Sequence, residues 1–276
     1  MMNVPMTSTG PDMDIVESLL KADKSIKGMW CVPKYSNPTG VVYSDETVER
    51  IAKLGQIASA NFRVFWDNAY SVHDLAPNAP QLASVLEATR RNGTEDSVVQ
   101  FASTSKITHA GSGVAFVAAS AANLVGFKKF LNSCTIGPDK VNQIRHSRFL
   151  PSKDALLAHM NKHAELLNPR FEAVLTGLGK AFDGTDLGAW EKPVGGYFVS
   201  FDTRKGCAKE TVRLAAEAGV KLTPAGATYP YGKDPEDRNI RIAPSVPTVP
   251  EVVGAMEVFV TCVKLASVKQ QLASIS

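Results

Sequence analysis

The chain has 276 residues, 44% of them hydrophobic, and a formal net charge of +3 from 30 basic and 27 acidic residues. That is enough apolar material for a substantial core, in one large unit or two small ones. The charges are interspersed without a basic run, which argues against a nucleic-acid or membrane partner. Cys31, Cys134, Cys207 and Cys262 lie too far apart for a metal-ligand spacing or a dense disulfide framework, so no metal is expected and a reducing cytoplasm suits them. No apolar stretch approaches the roughly 18 residues of a membrane helix, and residues 1–20 contain neither a basic nor an apolar leader region.

In chain order, Asp12 and Asp14 open a helical pattern with Ile15, Leu19 and Leu20 on one face. A buried strand over 28–33 follows and stops at the turn "KYSNPTG", residues 34–40. Ser44, Glu46 and Thr47 start a helix through Val48, Ile51, Leu54 and Ile57. A second buried strand, 62–66, ends at Asp67. A helical segment over 81–91 leads to a strand over 98–103, and a fourth strand spans 113–120. Strands alternating with helices predict a mainly parallel α/β sheet, whose ligands gather outside the strands' carboxyl ends. From Ser152 to about Phe182 the pattern is one long helix with Leu156, Leu157, Leu166, Phe171 and Leu175. Short strands at 197–201, 220–222 and 240–243, a helix over 209–218 and a last helix over 250–272 then predict a smaller α+β domain. The expected division is 1–150, a linking helix 151–182, and 183–276.

Three strand ends carry polar motifs: Asn37 in "SNPTG", Asp67 and Tyr70 in "DNAY", and Ser103, Ser105 and Lys106 in "STSK". Taken singly, each has an ordinary reading. Asp67 could cap a turn, Tyr70 could be half-buried, Lys106 could be a solvated lysine, and Arg241 in "RNIRIAPS" could be a paired strand-edge charge. Their order and spacing, 30 residues from Asn37 to Asp67 and 39 from Asp67 to Lys106, favour a shared site.

Together with "PVGGYFVSF", these motifs resemble the fold-type-I, class I/II aminotransferases that use pyridoxal 5′-phosphate (PLP), and among them the aspartate aminotransferase-like branch. The resemblance covers nearly the whole chain. It implies the C-terminal part of a PLP-binding large domain plus a smaller C-terminal domain, an amino acid and a 2-oxo acid as substrates, and a homodimer. It also implies that Lys106 forms the Schiff base and carries the proton, with Asp67 against the pyridine nitrogen. Tyr70 and Asn37 would bond the ring oxygen, Ser103 and Ser105 the phosphate, and Arg241 the substrate carboxylate, with Asn37 also counted among the substrate-binding residues.

Two departures bear on activity. Gly113 stands about where the family has a phosphate-clamping arginine, with His109 the nearest basic side chain. A large N-terminal portion of the family pattern, including the phosphate cradle and a ring-stacking aromatic, has no counterpart before residue 28, so the sequence reads as N-terminally truncated. Inactivity of this chain is therefore an expectation. A non-catalytic aminotransferase-like regulator domain and a degenerate remnant stay open as alternatives. Lys140, Arg145 and Arg148 are candidates by position for a side-chain carboxylate, or else a solvated helix face.

Overall fold

The computed structural model describes residues 1–275. A two-stranded strap, β1 (Met6–Thr7) and β2 (Gly10–Pro11), leads into α1 (Met13–Ala22), whose first turn is capped by the Asp12 carboxylate accepting from the Asp14 and Ile15 amides. The buried stripe of α1 is Met13, Val16 and Leu20, with Ile15 turned outward. The sequence pattern had put Ile15 on the inner face; a short helix flanked by apolar residues on both sides fits two stripes, and packing selects one.

Next come β3 (Gly28–Cys31), α2 (Asp45–Ile57, capped by Ser44), β4 (Arg63–Asp67), α3 (Val85–Asn92), β5 (Val98–Ser103) and β6 (Ala115–Ala119). The sheet order is β3-β4-β5-β6, parallel except for the antiparallel β6. Alternation sends Cys31, Val64, Trp66 and Val98 to one face, where they pack with Val48, Ile51 and Leu54 of α2, Val16 and Leu20 of α1, and Val85 and Ala88 of α3. The opposite face carries Trp30, Phe65 and Phe101, stacked in sequence at 5.6 and 6.1 Å and lying outside this core. β3 is therefore not the buried strand its apolar run predicts: it lies at the sheet edge, and Trp30 is 65% exposed.

Two helices without a clear sequence pattern follow, α4 (Ala121–Cys134) and α5 (Lys140–Phe149). The long α6 (Lys153–Phe182) then joins the sheet to a second core. Leu167, Phe171, Val174, Leu178 and Phe182, at helical spacing, pack there against Val199 and Phe201 of β8 (Val199–Thr203), Ile240 and Ile242 of β9 (Asn239–Ile242), and Met256, Phe259 and Val263 of α8 (Val249–Ile275). Leu157 and Leu166 of the predicted stripe are exposed instead. β7 (Gly188–Trp190), β8 and β9 form an antiparallel sheet, with α7 (Ala208–Glu217) between β8 and β9 in sequence. The strand predicted at 220–222 is loop: the Val220 amide bonds back to Ala215, and Pro224 brings no N–H to extend a ladder. Among the described residues, no helix is long and apolar enough to cross a membrane.

Candidate active site

The carboxyl ends of β3, β4 and β5 converge. After β3 the turn is tight: the Gly40 amide bonds the Ser36 carbonyl at 2.7 Å, and Gly40 takes φ +74°, a conformation glycine adopts without steric cost. The turn is anchored from below by Lys34 and Tyr35, two residues that sequence reading passed over. The buried Lys34 ammonium lies 2.7 Å from Asp74 and donates to the Ser71 carbonyl at 3.1 Å. The Tyr35 hydroxyl donates to the same Asp74 carboxylate at 2.6 Å, and burial beside that anion raises its pKa. Tyr35 holds φ +53°, a left-handed backbone costing a non-glycine residue about 1–2 kcal/mol. Gly195 and Gly196 make room for it: a Cβ on Gly195 would stand 2.1 Å from the Tyr35 ring. This accounts for the glycine pair of "PVGGYF".

The anchored turn presents Asn37. Its Oδ1 accepts from Arg241 Nη1 at 3.1 Å, a contact joining the first sheet to the second. Arg241 projects from β9 between buried Ile240 and Ile242, lies 4.6 Å from the Phe198 ring centroid, and donates to Thr223 Oγ1 at 3.3 and 3.4 Å. Asp67 ends β4. Tyr70, three residues on, is buried; burial raises its pKa, with Arg241 opposing and Asp67 adding to the shift. Lys106 Nζ lies 5.2 Å from the Tyr70 ring centroid. Lys106, Tyr70, Asp67, Arg241 and Asn37 thus form one connected set.

Among the described residues, the Asp67 carboxylate, the Tyr70 hydroxyl and the Asn37 amide nitrogen have no hydrogen-bond or ion-pair partner, and the Asn68 Oδ1 beside them is buried and unpaired. Ser103 and Ser105 bond each other, Oγ to Oγ, at 2.7 Å, and a cavity of about 560 Å³ lined by Ser103, Thr104 and Ile107 opens next to them. Gly113 backs onto Ser105: a Cβ there would lie 2.8 Å from the Ser105 Cα and amide nitrogen. This main-chain contact leaves no room for any side chain at 113. His109 is exposed. Lys140, Arg145 and Arg148 are exposed on α5, where Arg145 bonds Asn142 of the same helix.

A carboxylate at a strand end, an amine 5.2 Å from the centroid of an aromatic ring and a guanidinium bonded to Asn37 are thus gathered at one end of the sheet. The comparisons give the family. A family model described as aspartate amino-transferase matches residues 1–274, and the chain belongs to that family. It is 45% identical, over 98% of its length, to a candidate aminotransferase of Mycolicibacterium smegmatis, spanning 63% of that relative. The crystal structure of an aspartate transaminase from Corynebacterium glutamicum superposes with a TM-score of 0.95 at 42% identity, covering 98% of this chain and 63% of that one. An alpha-aminoadipate aminotransferase of Thermus thermophilus, solved with N-(5′-phosphopyridoxyl)-L-leucine, shares the fold at 21% identity and TM-score 0.81, covering 97% and 66%.

Proposed function

We propose that this group of residues holds pyridoxal 5′-phosphate and that the activity it serves is transfer of an amino group between an amino acid and a 2-oxo acid. The supporting observation is the unpartnered set itself: among the described residues the Asp67 carboxylate, the Tyr70 hydroxyl and the Asn37 amide nitrogen are free, and they connect through Tyr70 and Arg241 to Lys106, whose amine lies 5.2 Å from the Tyr70 ring centroid. Such groups suit a cofactor with a basic ring nitrogen, a ring oxygen, an aldehyde and a phosphate. When bound, the cofactor supplies the electron sink. Asp67 would hold a proton on the ring nitrogen, because an adjacent anion favours the charged form. Tyr70 and Asn37 would donate to the ring oxygen, and the Ser103 and Ser105 hydroxyls, now bonded to each other, would be the donors for the phosphate. Lys106 would provide the amine that holds the aldehyde and serves as the proton carrier, and Arg241 would take the substrate carboxylate with its planar fork. Residues 1–150 act as the cofactor unit, 151–182 as the link, and 183–276 as the substrate unit. Aspartate is the proposed donor, by likeness to the Corynebacterium glutamicum enzyme, and a homodimer the proposed assembly.

Gly113 offers no cation to the phosphate, so we propose that these 276 residues retain the cofactor weakly. The test is incubation with pyridoxal 5′-phosphate, borohydride reduction and peptide mass spectrometry. The label should concentrate on Lys106 and vanish in Lys106→Ala. Label spread evenly over surface lysines, unchanged in that variant, would overturn the proposal.

A further inference from the structure

Four of the chain's five histidines gather around one strip of backbone, residues 106–108. His73 Nε2 lies 3.1 Å from the Lys106 carbonyl oxygen, and His159 Nε2 lies 2.8 Å from the next carbonyl, Ile107. His146 Nε2 meets Thr108 Oγ1 at 2.9 Å, and the His163 ring packs on His159 at 4.7 Å. A fifth group joins them: the Tyr197 hydroxyl donates to the Lys106 carbonyl at 2.8 Å. The Lys106 carbonyl therefore receives two donors, one for each lone pair. One comes from the loop after β4 and the other from the "GGYF" segment before β8.

A carbonyl only accepts, so the hydrogen in the His73 contact sits on Nε2. His73 Nδ1 is buried and makes no hydrogen bond of good geometry among the described residues, the Tyr70 carbonyl acting on the ring only weakly. With the hydrogen on Nε2, burial, which keeps the pKa down at about 4, leaves the ring a neutral imidazole at ordinary pH. Its charged and titratable surroundings are Lys106, His163, Tyr70 and Tyr197. Tyr70 stands edge-on to both donors, 5.7 Å from His73 and 5.9 Å from Tyr197, and presents its face to the Lys106 amine. The same rings that grip the lysine's main chain thereby border the surface over which its side chain lies. A lysine side chain carries about 2 kcal/mol of rotamer entropy, so fixing its root narrows where the amine travels.

We propose that His73, together with Tyr197, is a positioning residue for Lys106: the two donors pin the Lys106 carbonyl so that its amine is held over Tyr70. The inference rests on Lys106 being the cofactor lysine. It assigns His73 no contact with the cofactor. Three variants separate positioning from filling space. Tyr197→Phe removes one hydroxyl, His73→Leu removes the ring donor, and His73→Gln restores an N–H near the Nε2 position. The readout is the rate of pyridoxal 5′-phosphate attachment at Lys106, trapped by borohydride, with labelling of surface lysines as internal reference and circular dichroism as the check on folding. Losing one hydrogen bond should slow attachment about tenfold in Tyr197→Phe and in His73→Leu, with most of the rate restored in His73→Gln. If His73→Leu does not fold, Tyr197→Phe and His73→Gln against the parent chain carry the test. Folded variants attaching at the parent rate overturn the positioning role alone. No preference for Lys106 in the parent chain overturns the cofactor reading and this inference with it. A ¹⁵N spectrum of the cofactor-free chain gives a second measure: His73 should remain the neutral Nε2–H tautomer from pH 8 to 5, and titration near 6.5 would overturn the geometry on which the proposal stands.

Discussion

At Arg241 the guanidinium is held by three kinds of neighbour at once: the Phe198 face, the Thr223 hydroxyl and the Asn37 amide oxygen. Each exploits the plane or the fork of an arginine, and lysine has neither. Arg241→Lys should therefore raise the KM for the amino acid by about 10–100-fold, the loss of one charge-assisted bond of about 1.5–3 kcal/mol, while kcat changes less. An unchanged KM in steady-state assay of an active form would remove Arg241 from the substrate site. The placement of Arg241 was readable in advance, because alternation with two isoleucines fixes its face. That of His73 was not: a lone histidine has no period, and its partner is a carbonyl that only the fold brings near. Its titration has a consequence for stability. A histidine whose folded pKa is about 4, against about 6.5 unfolded, resists protonation when folded. The unfolded chain binds the proton first, so this contribution is whole above pH 6.5 and is lost as pH falls towards 4, to the extent of about 3 kcal/mol. In urea titrations at successive pH values, His73→Gln should flatten the decline in stability over that window. An identical slope in both proteins would show that His73 does not titrate as its burial demands.

The turn after β3 illustrates how an element can be legible while its support is not. An Asn-Pro step followed by glycine marks the turn in the sequence, and Ser44 and Ser152 mark helix starts, each accepting a hydrogen bond from the first turn. Nothing local indicates that Lys34 is buried or that Asp74 is its partner, since forty residues and a strand separate them. α4 escaped notice for a different reason. None of its residues is buried, so no stripe exists to give it a period. The Lys34–Asp74 pair lends itself to an asymmetric test. Removing Asp74 strands a buried ammonium and the Tyr35 hydroxyl together. Removing the charge of Lys34 leaves a carboxylate that is about one-third exposed and still bonded to Tyr35. Asp74→Ala should thus cost about 2–4 kcal/mol, below the top of the range for a fully buried pair because water reaches the carboxylate, and Lys34→Met distinctly less. Equal losses on denaturant unfolding would mean that burial of Lys34 is not what holds the turn.

Over the whole molecule the two faces of the parallel sheet are unequal. One is sealed by α1, α2 and α3. The other presents Trp30, Phe65 and Phe101 as a stacked row that ends at β3, a strand with one edge unpaired among the described strands. Trp30 is exposed and Phe65 and Phe101 are half-buried, so the row offers less than the roughly 150–250 Å² of a whole ring at each position and favours association only together with the strand edge beside it. An open strand edge beside it adds main-chain donors and acceptors that a second chain can pair with. This row is not legible in the sequence, because Trp30 reads as core when only its apolar neighbours are considered. The 276-residue chain should accordingly self-associate at micromolar concentration, and Trp30→Lys should shift it towards monomer without lowering its thermal midpoint, since a residue that is 65% exposed contributes little to the folded core. Sedimentation velocity across a concentration series reads this directly. A parent chain that stays monomeric throughout would show that the aromatic row is too narrow, or too well shielded by the strap at Met6–Thr7 and Gly10–Pro11, to hold a second copy.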